Sequence, residues 1–363
     1  MTDTGAKAFR WAIFGTGQVA RKFALDLAGA GAPAILHSVA SRDPGNARAF
    51  AAQLGVARAA DSYAAALEGA DIVYIATPAT LHEAHARMAI AAGKAVLVEK
   101  PFASDAAAAR RIAAAAAEAG VFCMEAMWTR FQPLLGELRA RIAAGALGDP
   151  LGLEARFMAA TPPAPGLALY DPAGGGALLH RGLYPLSLAH FLLGGIARVQ
   201  AAAAIGATGV DEDCALTLTH ESGALSTLRA SLRTSGPEGA VLFGTRATLA
   251  IEGPIWRPTG ALLMPVRPAL PPRGARRFEA FRESATGLRV AGLLGTLRGS
   301  GRRGSTRIAA PFAGNGYRHQ ALAVMQALRE GRTEDPRMTL ADSIAILDAV
   351  DAARAAWQQG DRA

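Results

Sequence analysis

The sequence predicts an α/β fold in which a doubly wound parallel sheet is followed by a larger, mostly antiparallel open sheet. Residues 10–125 alternate short apolar runs with helical patterns, which is typical of parallel strands joined by crossover helices. After Pro150 the strand-like runs follow one another with only short turns between them, which favours antiparallel pairing. At 363 residues the chain is long enough for two domains, and we place their boundary so that they cover 1–127 and 128–363.

In the first domain the predicted strands and helices alternate. The strands are Arg10–Phe14, Ile35–Ser41, Ile72–Ala76, Ala95–Val98 and Val121–Met124. The helices lie at roughly 18–29, 44–54, 80–92 and 104–119, with a shorter one over Asp61–Leu67. A further helix over Thr129–Ala144 ends before Gly145 and leads into the second domain.

The second domain is predicted to contain a run of strands interrupted by one helix and closed by two more. The strands are Leu151–Ala160, Arg198–Ile205, Asp213–His220, Ala224–Leu232, Ala240–Gly244 and Thr248–Glu252. The helices are Tyr184–Leu193, Gly316–Glu330 and Leu340–Gln358, and the pattern leaves open whether the last two pack back on the first domain. Residues 254–313 are rich in Pro, Gly and Arg and are predicted to be an irregular basic insert.

The net charge of +8 comes from one segment of the chain. Arg267–Arg307 contains ten arginines and two acids, and the remaining residues balance to zero. This uneven distribution does not favour a nucleic-acid partner for the protein as a whole; the alternative is that the segment alone binds one. Residues 287–295 would suit a membrane-surface segment, but their glycines favour a solvated loop.

Other features favour a cytoplasmic protein without a membrane span. Met1–Arg10 has no apolar signal core, and we find no run of the ~20 apolar residues that a bilayer requires. The two cysteines, Cys123 and Cys214, are too few for a disulfide framework and favour a reducing compartment.

The turn Gly15-Thr16-Gly17-Gln18-Val19-Ala20 predicts a dinucleotide site. Gly15 permits the tight turn, Gly17 lets the backbone approach a pyrophosphate, and the helix N-terminus offers free N–H groups to it. The second strand ends at Ser41-Arg42, without the acid that usually binds the ribose 2′-hydroxyl in an NAD site. Because an arginine suits a 2′-phosphate, we expect NADP, with NAD as the alternative.

Two further strand ends face the same crevice, where ligands bind in open sheets. Ala76-Thr77-Pro78 ends one strand and Leu81-His82 begins the next helix, and we assign these five residues to the cofactor site. For His82 an ordinary position at a helix start is the alternative. Val98-Glu99-Lys100-Pro101 ends the following strand, where Glu99 and Lys100 are cofactor candidates and Lys100 also indicates chemistry beside the nucleotide.

These segments resemble the Gfo/Idh/MocA oxidoreductase family, most of all its dihydrodiol dehydrogenase and sugar dehydrogenase branch. The similarity continues through Met124–Phe131, Gly174–Leu179 with Gly182–Pro185, and Gly314–Gln320, and leaves out about 254–313. The resemblance implies a Rossmann domain followed by an α/β domain whose open sheet serves as a homodimer interface. It also implies hydride transfer between C4 of the nicotinamide and a carbonyl or secondary alcohol.

The resemblance further implies roles for individual side chains. Tyr184 matches the position of a catalytic Tyr or His, and Lys100 is placed under the nicotinamide, where its ammonium would lower the pKa of the Tyr184 phenol. Trp128, Arg130 and Phe157 become candidates for the substrate pocket, with interdomain packing as the alternative for the first two.

His180 departs from the family pattern. Related sequences usually carry Asp at this position, four residues before the Tyr or His, whereas a histidine donates a hydrogen bond or carries positive charge. This exchange would shift the substrate towards an acidic or phosphorylated one, or would abolish turnover. We do not expect a metal at His180, because no second His or Cys is suitably spaced.

The predicted function is therefore that of an NADP-dependent oxidoreductase acting on a sugar, a polyol or a dihydrodiol-like small molecule. The alternative is a catalytically inactive NADP- or sugar-binding regulatory protein on the same fold.

Overall fold

The computed structural model describes residues 8–29, 34–267, 281, 284–290 and 304–360, which build two sheets and their covering helices. The strands are β1 (Phe9–Phe14), β2 (Ala34–Ala40), β3 (Arg58–Ala59), β4 (Ile72–Ile75), β5 (Ala95–Glu99), β6 (Cys123–Ala126), β7 (Pro150–Met158), β8 (Ile196–Ile205), β9 (Asp211–His220), β10 (Leu225–Ser231), β11 (Gly239–Gly244), β12 (Ala247–Glu252), β13 (Gly260–Pro265) and β14 (Thr306–Ala309). The helices are α1 (Gln18–Ala28), α2 (Pro44–Leu54), α3 (Tyr63–Ala66), α4 (His82–Ala91), α5 (Ala106–Ala119), α6 (Pro133–Ala143), α7 (Leu183–Leu193), α8 (Arg318–Arg329) and α9 (Leu340–Gly360).

The first sheet has the strand order β3-β2-β1-β4-β5-β6, and all neighbouring strands are parallel. The predicted doubly wound parallel sheet is confirmed. After β1 the chain adds β2 and β3 on one side of that strand and then crosses over to add β4 on its other side. The switch in strand order therefore lies between β1 and β4. The carboxyl ends of the strands beside this switch point form the crevice in which such sheets bind ligands.

Apolar residues at helical spacing fix α1 on this sheet. Ala20, Phe23, Ala24 and Leu27 are buried, following the i, i+3, i+4, i+7 pattern of one helix face. The Phe23 ring stacks on Tyr74 of β4 with 3.7 Å between ring centroids. The helix that begins at the glycine turn is therefore held rigidly against the strand next to β1.

The second sheet has the order β14-β13-β12-β11-β7-β10-β9-β8. Its pairs are antiparallel except for β7 and β10, which are parallel, so the predicted mostly antiparallel open sheet is also confirmed. The helix α7 packs on one face and is buried almost all round. The other face exposes alternate side chains such as Glu154 and Arg156 of β7.

The prediction of an irregular insert over 254–313 was wrong in part, because it contains β13 and β14. The apolar run of β13 is short and ends at Pro265, so it gave no clear strand pattern. The basic segment 267–307 and the glycine-containing stretch 287–295 lie largely outside the described residues. The predicted helix over Thr129–Ala144 is divided into a 3₁₀ turn at Trp128–Phe131 and α6, which begins at Pro133, a residue suited to the first helical position.

The last helix returns to the first sheet. Asp351 of α9 accepts a hydrogen bond from the backbone N–H of Ala106 at the start of α5, and Asp348 pairs with Arg110. Leu347 is fully buried in the same apolar core as the strands of the first sheet. None of the described helices is long and apolar enough to cross a bilayer.

Candidate active site

The glycine turn after β1 has the shape that a dinucleotide requires. Gly15 has a φ of +103°, and a Cβ at this position would lie 2.5 Å from the Ala76 carbonyl oxygen. Gly17 is the N-cap of α1, and a Cβ there would meet nothing within 4 Å, so its backbone faces open space. No side chain caps the first turn of α1, which leaves its N–H groups available to a phosphate. The turn from Gly15 to Val19 therefore fits a bound pyrophosphate.

Polar groups lie together at the end of β2. The Thr16 hydroxyl donates to Ser41 Oγ at 3.3 Å, and Arg42 is exposed beside it. Asp43 is the nearest acid, but its carboxylate accepts a hydrogen bond from the backbone N–H of Gly45 and caps α2. Arg42 is thus the charged side chain left open at this strand end.

The strand end after β4 closes the crevice beside Gly15. Thr77 lies buried there with its hydroxyl 3.0 Å from His85 Nδ1, while Pro78 and Leu81 are exposed. His82 is only 1% exposed, and its two ring nitrogens lie 2.8 Å from the carbonyl oxygens of Thr77 and Pro101. The buried ring of His82 therefore joins two loops of the crevice through these carbonyl oxygens, and the assignment of His82 to the cofactor site stays a prediction.

Lys100 lies at the end of β5 with its ammonium beside α7. Its Nζ donates to the His180 carbonyl oxygen at 3.0 Å and lies 5.1 Å from the centroid of the Tyr184 ring. Burial lowers the pKa of Lys100 below its usual 10.5, while Glu99 and Glu125 act in the opposite direction. The lysine is therefore easier to deprotonate than a lysine in water.

Glu99 is buried beside this lysine. Its carboxylate is 7% exposed and accepts hydrogen bonds from the Tyr74 hydroxyl and from the backbone N–H of Lys100. Burial raises the pKa of Glu99 to about 7. Tyr74 and the lysine backbone already bind its carboxylate oxygens, and the assignment of Glu99 to the cofactor site stays a prediction.

Tyr184 lies near the start of α7, just after a π-helical turn at Leu178–Gly182. Trp128 Nε1 donates to its hydroxyl oxygen at 3.2 Å. Burial raises the pKa of Tyr184 above its usual range, and the hydrogen bond from Trp128 only partly opposes this. The expected lowering of this pKa by Lys100 is not found: its ammonium lies over the ring, and burial has the largest effect. The phenol keeps its proton at neutral pH and can donate it to a ligand.

His180 carries no positive charge at neutral pH. Its Nε2 lies 3.2 Å from the Gly174 carbonyl oxygen, in the loop before the π-helical turn. Burial, together with the charge of Lys100, lowers the pKa of His180 to about 4. Of the two alternatives for this residue, the lowered pKa favours a neutral hydrogen-bonding ring, and it is the backbone carbonyl of His180 that accepts from Lys100.

Arg130 lies outside the cavity. It is 3% exposed, donates to the hydroxyl and the carbonyl oxygen of Ser187, and pairs with Asp342 at 3.3 Å. These contacts use the guanidinium to join α7 and α9, which does not support its predicted role as a substrate anchor. The alternative of interdomain packing describes its position.

A cavity of about 360 Å³ lies beside Lys100 and Tyr184. Of the residues predicted for the substrate pocket, Trp128, Phe157, His180 and Tyr184 line it. Two stacked aromatic pairs form its walls, Phe157 with Trp256 at 4.6 Å and Trp128 with Tyr317 at 4.5 Å between centroids. In the described ranges no group of three or more His, Cys, Asp or Glu side chains could hold a metal ion.

Sequence reasoning did not select several residues of this cavity, namely Lys22, Leu169, Arg257, Asn315 and Tyr317. They come from α1 and from loops far apart in the chain. Tyr317 and Asn315 lie in the segment Gly314–Gln320, whose similarity to the family was the one signal that could have pointed to them. Nothing in the sequence marks Lys22 or Arg257.

Comparison with known proteins agrees with this arrangement. The oxidoreductase family with an NAD-binding Rossmann fold, Gfo/Idh/MocA, matches residues 9–127, and the Gfo/Idh/MocA C-terminal domain matches residues 136–250. The trans-1,2-dihydrobenzene-1,2-diol dehydrogenase of Mus musculus is 29% identical over 356 residues, which cover 96% of this chain and 97% of that protein. The protein of the same name from Xenopus laevis is 31% identical over 263 residues, which cover 70% of this chain and 79% of that protein.

A solved structure shares the whole fold. A levoglucosan dehydrogenase in complex with NADH and levoglucosan superposes with a TM-score of 0.81 at 18% identity, covering 97% of this chain and 98% of that one. The matched domains and the relatives cover both sheets and the crevice between them. The chain belongs to the Gfo/Idh/MocA oxidoreductase family and is an NAD(P)-binding dehydrogenase.

Proposed function

We propose that this protein transfers a hydride between NADP and a carbonyl or secondary alcohol of a sugar, a polyol or a dihydrodiol-like substrate. The observation that carries the proposal is the position of Lys100, whose ammonium lies between the end of β5 and the cavity, against the ring of Tyr184. A partly buried lysine at the ligand-binding edge of a dinucleotide fold is suited to proton transfer beside a nicotinamide.

When bound, the cofactor would supply the hydride acceptor or donor at its nicotinamide C4. In alcohol oxidation the chain must accept the hydroxyl proton, and the neutral amine of Lys100 is the group we assign to this step. The hydride departs from the carbon and the proton from the oxygen, which leaves the carbonyl. In reduction, Lys100 returns the proton as the ammonium.

Tyr184 has a different role in this proposal. Its hydroxyl oxygen already accepts a hydrogen bond from Trp128, so its own proton is free to point at the substrate oxygen. A phenol that stays protonated can stabilise alkoxide-like charge without exchanging protons. The backbone carbonyl of His180 holds the lysine over the ring of this tyrosine.

The end of β2 supports NADP over NAD. Arg42 is exposed there beside Ser41 and Thr16, while the carboxylate of Asp43 is occupied in capping α2. A 2′-phosphate would find an arginine and two hydroxyls, and a ribose 2′-hydroxyl would find no free carboxylate.

Two observations support a ring-shaped alcohol as substrate. The paired aromatic walls offer flat apolar surfaces against which a ring can pack. The curated relatives carry the name of dihydrodiol dehydrogenases, whose substrate in that name is a cyclic diol.

Absorbance at 340 nm tests the proposal directly. Purified protein with NADP⁺ or NAD⁺ is offered a panel of sugars, polyols and trans-dihydrodiols, and we expect NADPH formation on at least one of them. A protein that binds NADP⁺ tightly and reduces it with no member of the panel, nor oxidises NADPH with the matching ketones, would be the inactive regulator instead.

A further inference from the structure

The cavity beside Lys100 carries an excess of positive charge. Among the residues that the structure describes, its walls contain four cationic side chains and no Asp or Glu. The cations are Lys22 of α1, Lys100 after β5, Arg181 before α7 and Arg257 after β12. Charges of one sign gathered in a cleft attract a ligand of the opposite sign.

Two of these cations are poor candidates to hold a ligand's charge, because Lys100 is assigned to proton transfer and both terminal nitrogens of Arg181 already donate hydrogen bonds. Lys100 donates to the His180 carbonyl oxygen, and Arg181 donates to the Ser231 carbonyl oxygen and the Thr161 hydroxyl. Glu238 also acts on Arg181 electrostatically. The remaining two, Lys22 and Arg257, make no ion pair within the described ranges.

Arg257 has an unmet hydrogen-bonding group. Its Nη2 donates to the Gly314 carbonyl oxygen, and its guanidinium lies 5.0 Å from the centroid of the Phe312 ring, so the side chain is held in place. Its Nε is buried and finds no hydrogen-bond partner among the residues that the structure describes. A buried donor without a partner costs free energy unless a ligand supplies an acceptor.

The acids near the cavity do not line it and offset its charge only in part. The Asp26 carboxylate accepts hydrogen bonds from Asn315 and Tyr317. Glu99 and Glu125 act on Lys100 electrostatically, but burial raises the pKa of each to about 7. At neutral pH each is therefore protonated a large part of the time. The cofactor phosphates do not account for the charge either, because neither the Gly15–Gly17 turn nor Arg42 lines this cavity.

We propose that the substrate carries an anionic group, a carboxylate or a phosphate, and that Arg257 is its principal anchor with Lys22 as the second cation. The inference rests on the proposed dehydrogenase function and narrows its substrate class. Arginine binds such groups with paired N–H donors, and a cavity of about 360 Å³ is sufficient for one sugar-sized ring.

The test compares sugars that differ only in charge at C6. D-glucose, D-glucuronate and D-glucose 6-phosphate, and the same three forms of D-galactose, are titrated calorimetrically into protein saturated with NADP⁺. We expect at least one charged sugar to bind about tenfold or more tightly than its neutral counterpart. The carboxylate and phosphate arms identify which anion the site prefers.

Variants then locate the anchor. Arg257→Gln should weaken the charged sugar about 10- to 100-fold and the neutral one by less than about threefold. Arg257→Lys should retain part of the preference, and its melting temperature shows whether the contact with Gly314 is needed for folding. Arg289 is exposed and does not line the cavity, so Arg289→Gln should leave the affinity for both kinds of sugar unchanged.

Three outcomes would overturn the inference: neutral sugars that bind as tightly as charged ones, no binding of any charged sugar, or an Arg257→Gln variant that weakens both kinds equally. Turnover, measured in parallel from the absorbance at 340 nm, distinguishes a failure of the anion-site inference from a failure of the proposed dehydrogenase function. Charged sugars that bind through Arg257 without reducing NADP⁺ would refute the dehydrogenase function and leave the anion site. Turnover confined to neutral sugars would support the dehydrogenase function and refute the anion site.

Discussion

Burial sets the protonation of Lys100 and Tyr184 more strongly than their attraction to each other does. The Lys100 ammonium lies over the face of the Tyr184 ring, while the Tyr184 hydroxyl faces Trp128. Without a direct contact between the ammonium and the phenol oxygen, burial raises the pKa of the tyrosine and lowers that of the lysine. The lysine is therefore the member of the pair that changes charge nearer to neutral pH.

This assignment predicts the pH dependence of alcohol oxidation. Because the neutral amine accepts the proton, the rate should rise with pH through an inflection below 10.5, the usual pKa of lysine. Tyr184→Phe should lower kcat about 10²- to 10³-fold and keep that inflection. A profile from stopped-flow or steady-state rates in which the inflection disappears in Tyr184→Phe would assign the titration to the tyrosine instead.

Cofactor choice is predicted to depend on Arg42. Replacing it by alanine removes the one charged group left open at the end of β2, so NADP⁺ affinity should fall about tenfold or more while NAD⁺ affinity changes less than about threefold. Calorimetric titration of both cofactors measures this, with Arg87→Ala on α4 as a remote control. An equal loss for the two cofactors would remove the argument for a 2′-phosphate contact.

Local motifs allowed part of the site to be predicted and tertiary contacts account for the rest. The glycine turn and Lys100 each come directly after a strand, so the local sequence is sufficient to predict where Gly15, Gly17 and Lys100 lie. His82 and Arg130 carry suitable chemistry in suitable segments, yet both are buried by residues more than fifteen positions away. Arg257 enters the cavity from a loop with no recognisable pattern.

At the scale of the elements, hydrophobic periodicity predicted most strands and helices to within two or three residues. It failed where an element is short or is bounded by proline. β3 has two residues, and β13 lies in a Pro- and Gly-rich segment, so neither offers the alternation on which strand prediction depends.

One contact between elements is predicted to stabilise the whole chain. Asp26 of α1 is 6% exposed and accepts hydrogen bonds from the backbone N–H groups of Asn315 and Tyr317 and from the Asn315 side chain. It thereby attaches α1 to the segment that leads into α8.

Asp26→Ala leaves these buried amides without an acceptor, and we expect a loss of about 3 kcal/mol in the free energy of unfolding. Urea denaturation followed by circular dichroism measures it. Asp43→Ala, which removes only the cap of α2, should cost about 1 kcal/mol. A loss for Asp26→Ala no greater than that of the cap variant would show that the attachment contributes little.

At the scale of the whole molecule, the open face of the second sheet is predicted to be a homodimer interface. Val241 of β11 lies on it opposite Glu154 of β7, and Leu225 of β10 is 55% exposed on the same side. An exposed sheet face with apolar residues gains stability when it is covered.

We expect light scattering to give twice the chain mass at micromolar concentration, and Val241→Asp to give a monomer, because the new carboxylate adds to the charge of Glu154 in the interface. A wild-type protein that is monomeric under these conditions would contradict the predicted interface.

Hydride transfer is proposed to take place where the first sheet meets the cavity walls of the second domain, and Lys100 is the residue at that junction. The most direct test is the single-turnover rate of hydride transfer in Lys100→Met, with Lys94→Met at the other end of β5 as the matched control. The account predicts that Lys100→Met loses about 10³-fold or more in rate while its NADP⁺ affinity stays within about threefold of the wild type, and that Lys94→Met behaves as the wild type. A Lys100→Met protein that transfers hydride within about tenfold of the wild-type rate would contradict it.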